Sequence, residues 1–220
     1  MTDTGLNAGE AEAAALEHQG GAVMAAHEAD GHVTNTGLSN EKLGMWVFLG
    51  SECLLFGGLI STYLLYKSRV PEGRGPTPNE LYDIPFTSVS SFVLLMSSLT
   101  MVLAVSAIQR GEHARLRLWL ITTAILGSVF ISGQVYEFQV FVKEGMGFTT
   151  NSASSAFFAL TGFHGVHVTL GIVMLLSTVL LSLRGRIPQS RAEAVEIVGL
   201  YWHFVDVVWV LIFTIVYLIP

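Results

Sequence analysis

The chain has 220 residues and a formal net charge of −6, with 51% apolar and only 13% charged side chains. Soluble domains carry about a quarter charged residues, so too little polar surface is available for an ordinary soluble globule. One cysteine and six prolines also exclude disulfide-framework, collagen-like and disordered classes, which leaves a bilayer protein.

Residues 1–41 hold seven acids (Asp3, Glu10, Glu12, Glu17, Glu28, Asp30, Glu41) and no Lys or Arg. The remainder carries ten acids and eleven bases, so the acidic balance belongs to this segment. It reads as a flexible or weakly helical tail, without the basic and apolar regions of a signal peptide. His18, His27 and His32 read there as surface histidines, not as a metal tract. A basic footprint is absent, so no nucleic-acid partner is expected.

Residues 42–220 read as an all-α membrane domain. Apolar runs at 43–66, 84–109, 116–142, 153–183 and 197–219 each suffice for a spanning helix, which needs about 20 residues. The fourth is long enough to tilt or protrude. None alternates with the period of a β-barrel strand. The six prolines are assigned to connections or to the chain's end, so straight helices are expected.

Lys42, Arg110, Arg115, Arg117, Arg184, Arg186 and Arg191 collect on the amino-terminal side of the membrane. Lys67, Arg69, Arg74 and Lys143 collect on the other, which predicts a cytoplasmic N-terminus and an external C-terminus. The longest connection, Lys67 to Asp83, would then face outward, stiffened by Pro71, Pro76 and Pro78.

The informative residues are ionisable groups inside the spans, where each costs several kcal/mol unless paired, hydrated or neutralised. These are Glu52, Glu137, His164, His167, His203 and Asp206, with Glu196 near an entrance. No Lys or Arg lies deep enough to balance the acids, so histidines are the available partners. Gln134 and Glu137 share a helix face, as do His164 and His167, and His203 and Asp206. Glu52 lies roughly 15 Å deep by helical rise, as deep as His164 and Asp206. A carboxylate–imidazole contact between the first helix and the fourth or fifth is therefore expected. For any one of these groups, an interhelical hydrogen bond that only positions helices competes with proton handling.

Paired ligands at helical spacing could in principle hold a metal, but Glu-x-x-His repeats and His-Glu-x-x-His are missing. The lone Cys53 excludes Cys-x-x-Cys-His haem attachment and any multi-cysteine site. No metal and no intrinsic cofactor are expected in this chain.

Four ordered segments carry a resemblance. They are Gly50-Ser51-Glu52 followed by Phe56, Gln134 with Tyr136-Glu137-Phe138, Phe157 through Val168, and Tyr201-Trp202-His203-Phe204-Val205-Asp206-Val207-Val208-Trp209. Together they resemble subunit III of haem-copper terminal oxidases, in its short five-helix bacterial form, from about Asn40 to Pro220. The first two helices of longer members have no counterpart here.

The resemblance implies an accessory, cofactor-free subunit of a proton-pumping, oxygen-reducing complex in the bacterial cell membrane. It would pack beside catalytic subunit I and subunit II, which hold the haem and copper, and would bind phospholipid. It would support proton uptake and sustained turnover, within a larger respiratory assembly or outside one. Glu52, Glu137, His164, His167, Glu196, His203 and Asp206 match the family's buried polar set, and Trp202 and Trp209 its packing or lipid-contact positions. Cytochrome c is the favoured electron donor, and quinol the alternative. Two other classes stay open: a stand-alone proton-coupled transporter and a purely structural lipid-binding scaffold.

Overall fold

The structure, a computed structural model, describes residues 39–67 and 83–219. The acidic segment before Ser39, with its three histidines, and the proline-rich connection after Lys67 lie outside the described residues. The chain divides into two units, Met1–Gly44 and Met45–Pro220, and the packing below is that of the second.

The fold is all-α. Its helices are α1 (Asn40–Lys67), α2 (Ile84–Gln109), α3 (His113–Lys143), α4 (Ser152–Leu183) and α5 (Ala192–Phe213). A short 3-10 turn, Gln189–Arg191, leads into α5, and a π-helical turn, Thr214–Leu218, extends it. Among the described residues, five helical segments are long and apolar enough to cross a membrane. The 32 residues of α4 rise about 48 Å against a hydrocarbon core of about 30 Å, so α4 must tilt or protrude.

Two sequence expectations need correction. Pro85 lies inside α2, in its first turn, where the ring's fixed φ suits the helix and the missing N–H would be unbonded anyway. Asp83 caps that same end, accepting the Phe86 amide at 3.1 Å. The third helix starts at His113, before its apolar run at Leu116, and Arg115 in that first turn lies 3.0 Å from Glu112.

Helix ends also follow local chemistry. After α2, Gly111 takes φ 74°, its amide reaches Ile108 O at 2.9 Å, and the Glu112 amide reaches Ala107 O at 2.9 Å. This left-handed closure satisfies two carbonyls that the helix leaves open. Gly145 and Gly185 close α3 and α4 by the same pattern. Gly111→Ala is expected to cost about 1–2 kcal/mol, read as a lower thermal midpoint in detergent, because an L side chain is strained at that φ.

The helices α2, α3, α4 and α5 form a closed ring of neighbours, α2 packing on α3 and α5, and α4 on α3 and α5. Helix α1 lies against α4 and α5 along a narrow seam. It buries Leu49, Phe56 and Tyr63, seven residues apart, while Trp46, Val47, Leu54, Leu64 and Leu65 stay exposed. Lipid tails are as apolar as Leu, so burial alone does not join these helices; close packing and hydrogen bonds do.

Candidate functional site

The polar side chains of the bundle fall into separate groups. At middle depth, Glu52 of α1 meets His167 of α4, with 3.1 Å between Oε2 and Nε2. The His167 Nδ1 lies 2.7 Å from Phe163 O, and a carbonyl only accepts, so Nδ1 carries a proton. The Nε2···Oε2 contact then holds one shared proton, placed on the imidazole or on the carboxyl. The Tyr201 hydroxyl donates to His167 O at 3.1 Å, and the Phe56 ring crosses the imidazole edge-on at 5.0 Å. Of the partners open to Glu52 from sequence, the structure supplies the fourth helix.

One turn away, His164 is fully buried and donates through Nε2 to Val205 O at 3.2 Å. Its Nδ1 has no partner, and its ring lies among Phe130 at 5.9 Å and Trp209 at 4.9 Å. His164 thus ties α4 to the backbone of α5.

Also near middle depth, Ser98 of α2 lies between two α5 side chains. Its Oγ is 2.7 Å from Asp206 Oδ2 and 3.3 Å from His203 Nδ1. The other Asp206 oxygen, Oδ1, is buried without a partner.

Glu137 lies two turns from the end of α3. Thr87 donates to its Oε1 at 2.9 Å and Gln134 Nε2 to its Oε2 at 3.3 Å, while Tyr217, on the π-helical turn, brings its phenol to the same carboxyl. Glu196 stands apart at the opposite end, where Gln109 Nε2 reaches it at 3.0 Å. The predicted set therefore forms separate pairs and triads, not one cluster.

Trp202 and Trp209 pack inside the bundle, 1% and 0% exposed, so lipid contact is not open to them. Trp202 Nε1 donates to Ser97 Oγ at 3.0 Å and Trp209 Nε1 to Ser91 Oγ at 2.8 Å. The α2 hydroxyls that meet Glu137, Trp209, Trp202 and Asp206 (Thr87, Ser91, Ser97, Ser98) were not singled out from sequence. Their signal was spacing, since 87, 91 and 98 share one helical face and 97 flanks it.

Among the described residues, no three His, Cys, Asp or Glu side chains gather within reach of one metal ion. Among the apolar grooves on the bundle surface, two border residues of the predicted set or their helices. One, of about 330 Å³, runs between α3 and α4 past Gln134, Phe138, Gly162 and Gly165. The other, of about 340 Å³, runs between α1 and α5 past Trp46, Cys53, His203 and Phe204.

Comparison with known proteins follows the geometry. The family model described as cytochrome c oxidase subunit III matches residues 20–219. A cytochrome c oxidase subunit 3 of Bacillus sp. (strain PS3) is 40% identical over 81% of this chain and 86% of its own length. A quinol oxidase subunit 3 of Bacillus subtilis (strain 168) is 41% identical over 80% of this chain and 85% of its own. A probable quinol oxidase subunit 3 of Staphylococcus saprophyticus is 41% identical over 81% and 88%. With nine-tenths of its length matched and its transmembrane bundle built around these segments, the chain belongs to the cytochrome c oxidase subunit III family of the haem-copper oxidases.

Proposed function

We propose that the chain is the accessory subunit III of a proton-pumping oxidase that takes electrons from cytochrome c. It carries no redox centre of its own; haem and copper reside in subunits I and II. It holds phospholipid and supports proton uptake and sustained turnover by the catalytic subunit. The observation that carries this reading is α1, a spanning helix with only three buried residues and a part-buried carboxyl–imidazole contact on its inner face. So few inward contacts suit a helix at a subunit boundary, whose apolar outer face is open to a catalytic subunit and its bound lipid. The N-terminus is placed in the cytoplasm and the C-terminus outside, by the Lys and Arg asymmetry, in the bacterial cell membrane.

A quinol-oxidising complex is the second reading, because relatives named quinol oxidase subunit 3 match as well as a relative named cytochrome c oxidase subunit 3. Purification of the tagged chain in mild detergent tests both. Haem bands in the reduced-minus-oxidised spectrum and co-purifying catalytic subunits are the expected result. Oxygen uptake driven by reduced cytochrome c, and not by a quinol, completes it. A colourless homomeric product would overturn the accessory reading, and quinol-driven uptake alone would overturn the donor.

A further inference from the structure

The serines of α2 do not all act alike. Ser88, Ser91 and Ser97 return their hydroxyl protons to carbonyls of their own helix. Ser98 instead lies between Asp206 Oδ2 at 2.7 Å and His203 Nδ1 at 3.3 Å. A hydroxyl has one proton, so it donates to one neighbour and accepts from the other. Two arrangements fit this geometry. In one, His203 Nδ1–H donates to Ser98, which donates to an Asp206 carboxylate. In the other, the Asp206 carboxylic acid donates to Ser98, which donates to a bare His203 Nδ1.

We propose that His203, Ser98 and Asp206 form a proton-exchange site, in which the Ser98 hydroxyl passes a proton between a partly exposed imidazole and a buried carboxyl. The step balances without any added reagent. The His203 Nδ1–H bond breaks as a new Ser98 Oγ–H bond forms, and the former Ser98 proton bonds to Asp206 Oδ2. An imidazolium and a carboxylate become an imidazole and a carboxylic acid.

The surroundings leave this route in place. His203 lines the open α1/α5 groove, while Asp206 is 7% exposed. Facing groups come from every neighbouring helix. Helix α2 presents Ser98, and α4 presents His164, whose Nε2 is committed to Val205 O. Helix α1 brings Cys53 to the groove. Among the described residues no Lys or Arg pairs with Asp206. The Asp206 proton therefore has its hydrogen-bonded exit through Ser98. This deepens the accessory reading, on which it rests for the proton's use.

Infrared spectroscopy of the purified complex tests it. A protonated carboxyl has a carbonyl stretch that shifts on deuteration, and subtraction of the Asp206→Asn spectrum assigns the Asp206 band. After transfer to D2O, Ser98→Ala is expected to slow the shift of that band at least tenfold. Ser98→Thr, which keeps a hydroxyl, is expected to restore it, and His203→Gln to slow it as Ser98→Ala does. Two results would overturn the proposal: no Asp206-dependent carboxyl band from acid to neutral pH, or exchange in Ser98→Ala as fast as in the parent. The readout is independent of redox partners. A colourless preparation would sink the accessory reading and leave this measurement standing.

Discussion

Gly127→Val is expected to be among the most damaging single changes in the bundle. A Cβ at Gly127 would stand 2.5 Å from Trp202 Cη2 and 3.0 Å from Cζ2. A Cβ at Gly171 would stand 2.9 Å from Cε3 and Cζ3 of the same ring. The indole is thus clamped between α3 and α4, while its Nε1 is held by Ser97 on α2. It cannot retreat from one glycine without pressing on the other. Glycine inside a helix costs about 1 kcal/mol relative to alanine, so helix propensity favours the substitution. Overpacking a well-filled interior costs about 1–3 kcal/mol for small insertions, and the valine methyls add to that. The clash therefore wins. Thermal unfolding in detergent should show a lower midpoint for Gly127→Ala and a larger fall for Gly127→Val. Trp202→Leu should partly rescue Gly127→Ala, because the blocking ring is gone. An unchanged midpoint for Gly127→Val would mean that the indole is not clamped.

That clamp shows where the sequence stops being readable. The apolar runs identify five helices because length and hydropathy are local properties, and the observed ends differ from those of the runs by a few residues. Glycine spacing does not announce which ring a glycine admits, since Gly127, Gly171 and Trp202 lie on three helices. The acids and histidines were legible because an ionisable group in hydrocarbon is costly and must be accounted for. Ser91, Ser97 and Ser98 passed unnoticed because a hydroxyl can satisfy itself on its own helix, so its presence implies no partner. Depth matching was informative for Glu52, which the structure places on His167. It could not separate His164 from His167, one turn apart. That choice depends on helix rotation, which sends His164 to the backbone of Val205 and His167 outward to α1.

Glu52→Ala is expected to shorten the working life of the assembled oxidase, and Glu52→Gln to leave it close to that of the parent. The argument turns on the proton between Glu52 and His167. With Nδ1–H already given to Phe163 O, His167 Nε2 accepts if the imidazole is neutral, and the carboxyl must then donate. A neutral pair buries no charge, whereas the ionic form keeps two charges in a site where each side chain is at most 15% exposed. The two forms differ in what a substitution at Glu52 leaves behind. Glutamine can donate its amide proton to the same nitrogen, so Glu52→Gln preserves the bond, and its cost should stay within about 1 kcal/mol. Alanine leaves Nε2 unpartnered and loosens α1, whose other buried contacts are few; about 1–3 kcal/mol is expected. Haem spectra should be unchanged in both variants, because neither residue lies where the described chain could hold a metal. A double-mutant cycle between Glu52→Ala and His167→Ala should give a coupling of about 1–3 kcal/mol. If Glu52→Gln proves as damaging as Glu52→Ala, the pair is ionic, since an unpaired buried imidazolium would cost about 3–5 kcal/mol. If either variant loses haem, Glu52 serves assembly of the catalytic centre and not the seam that joins α1 to α4.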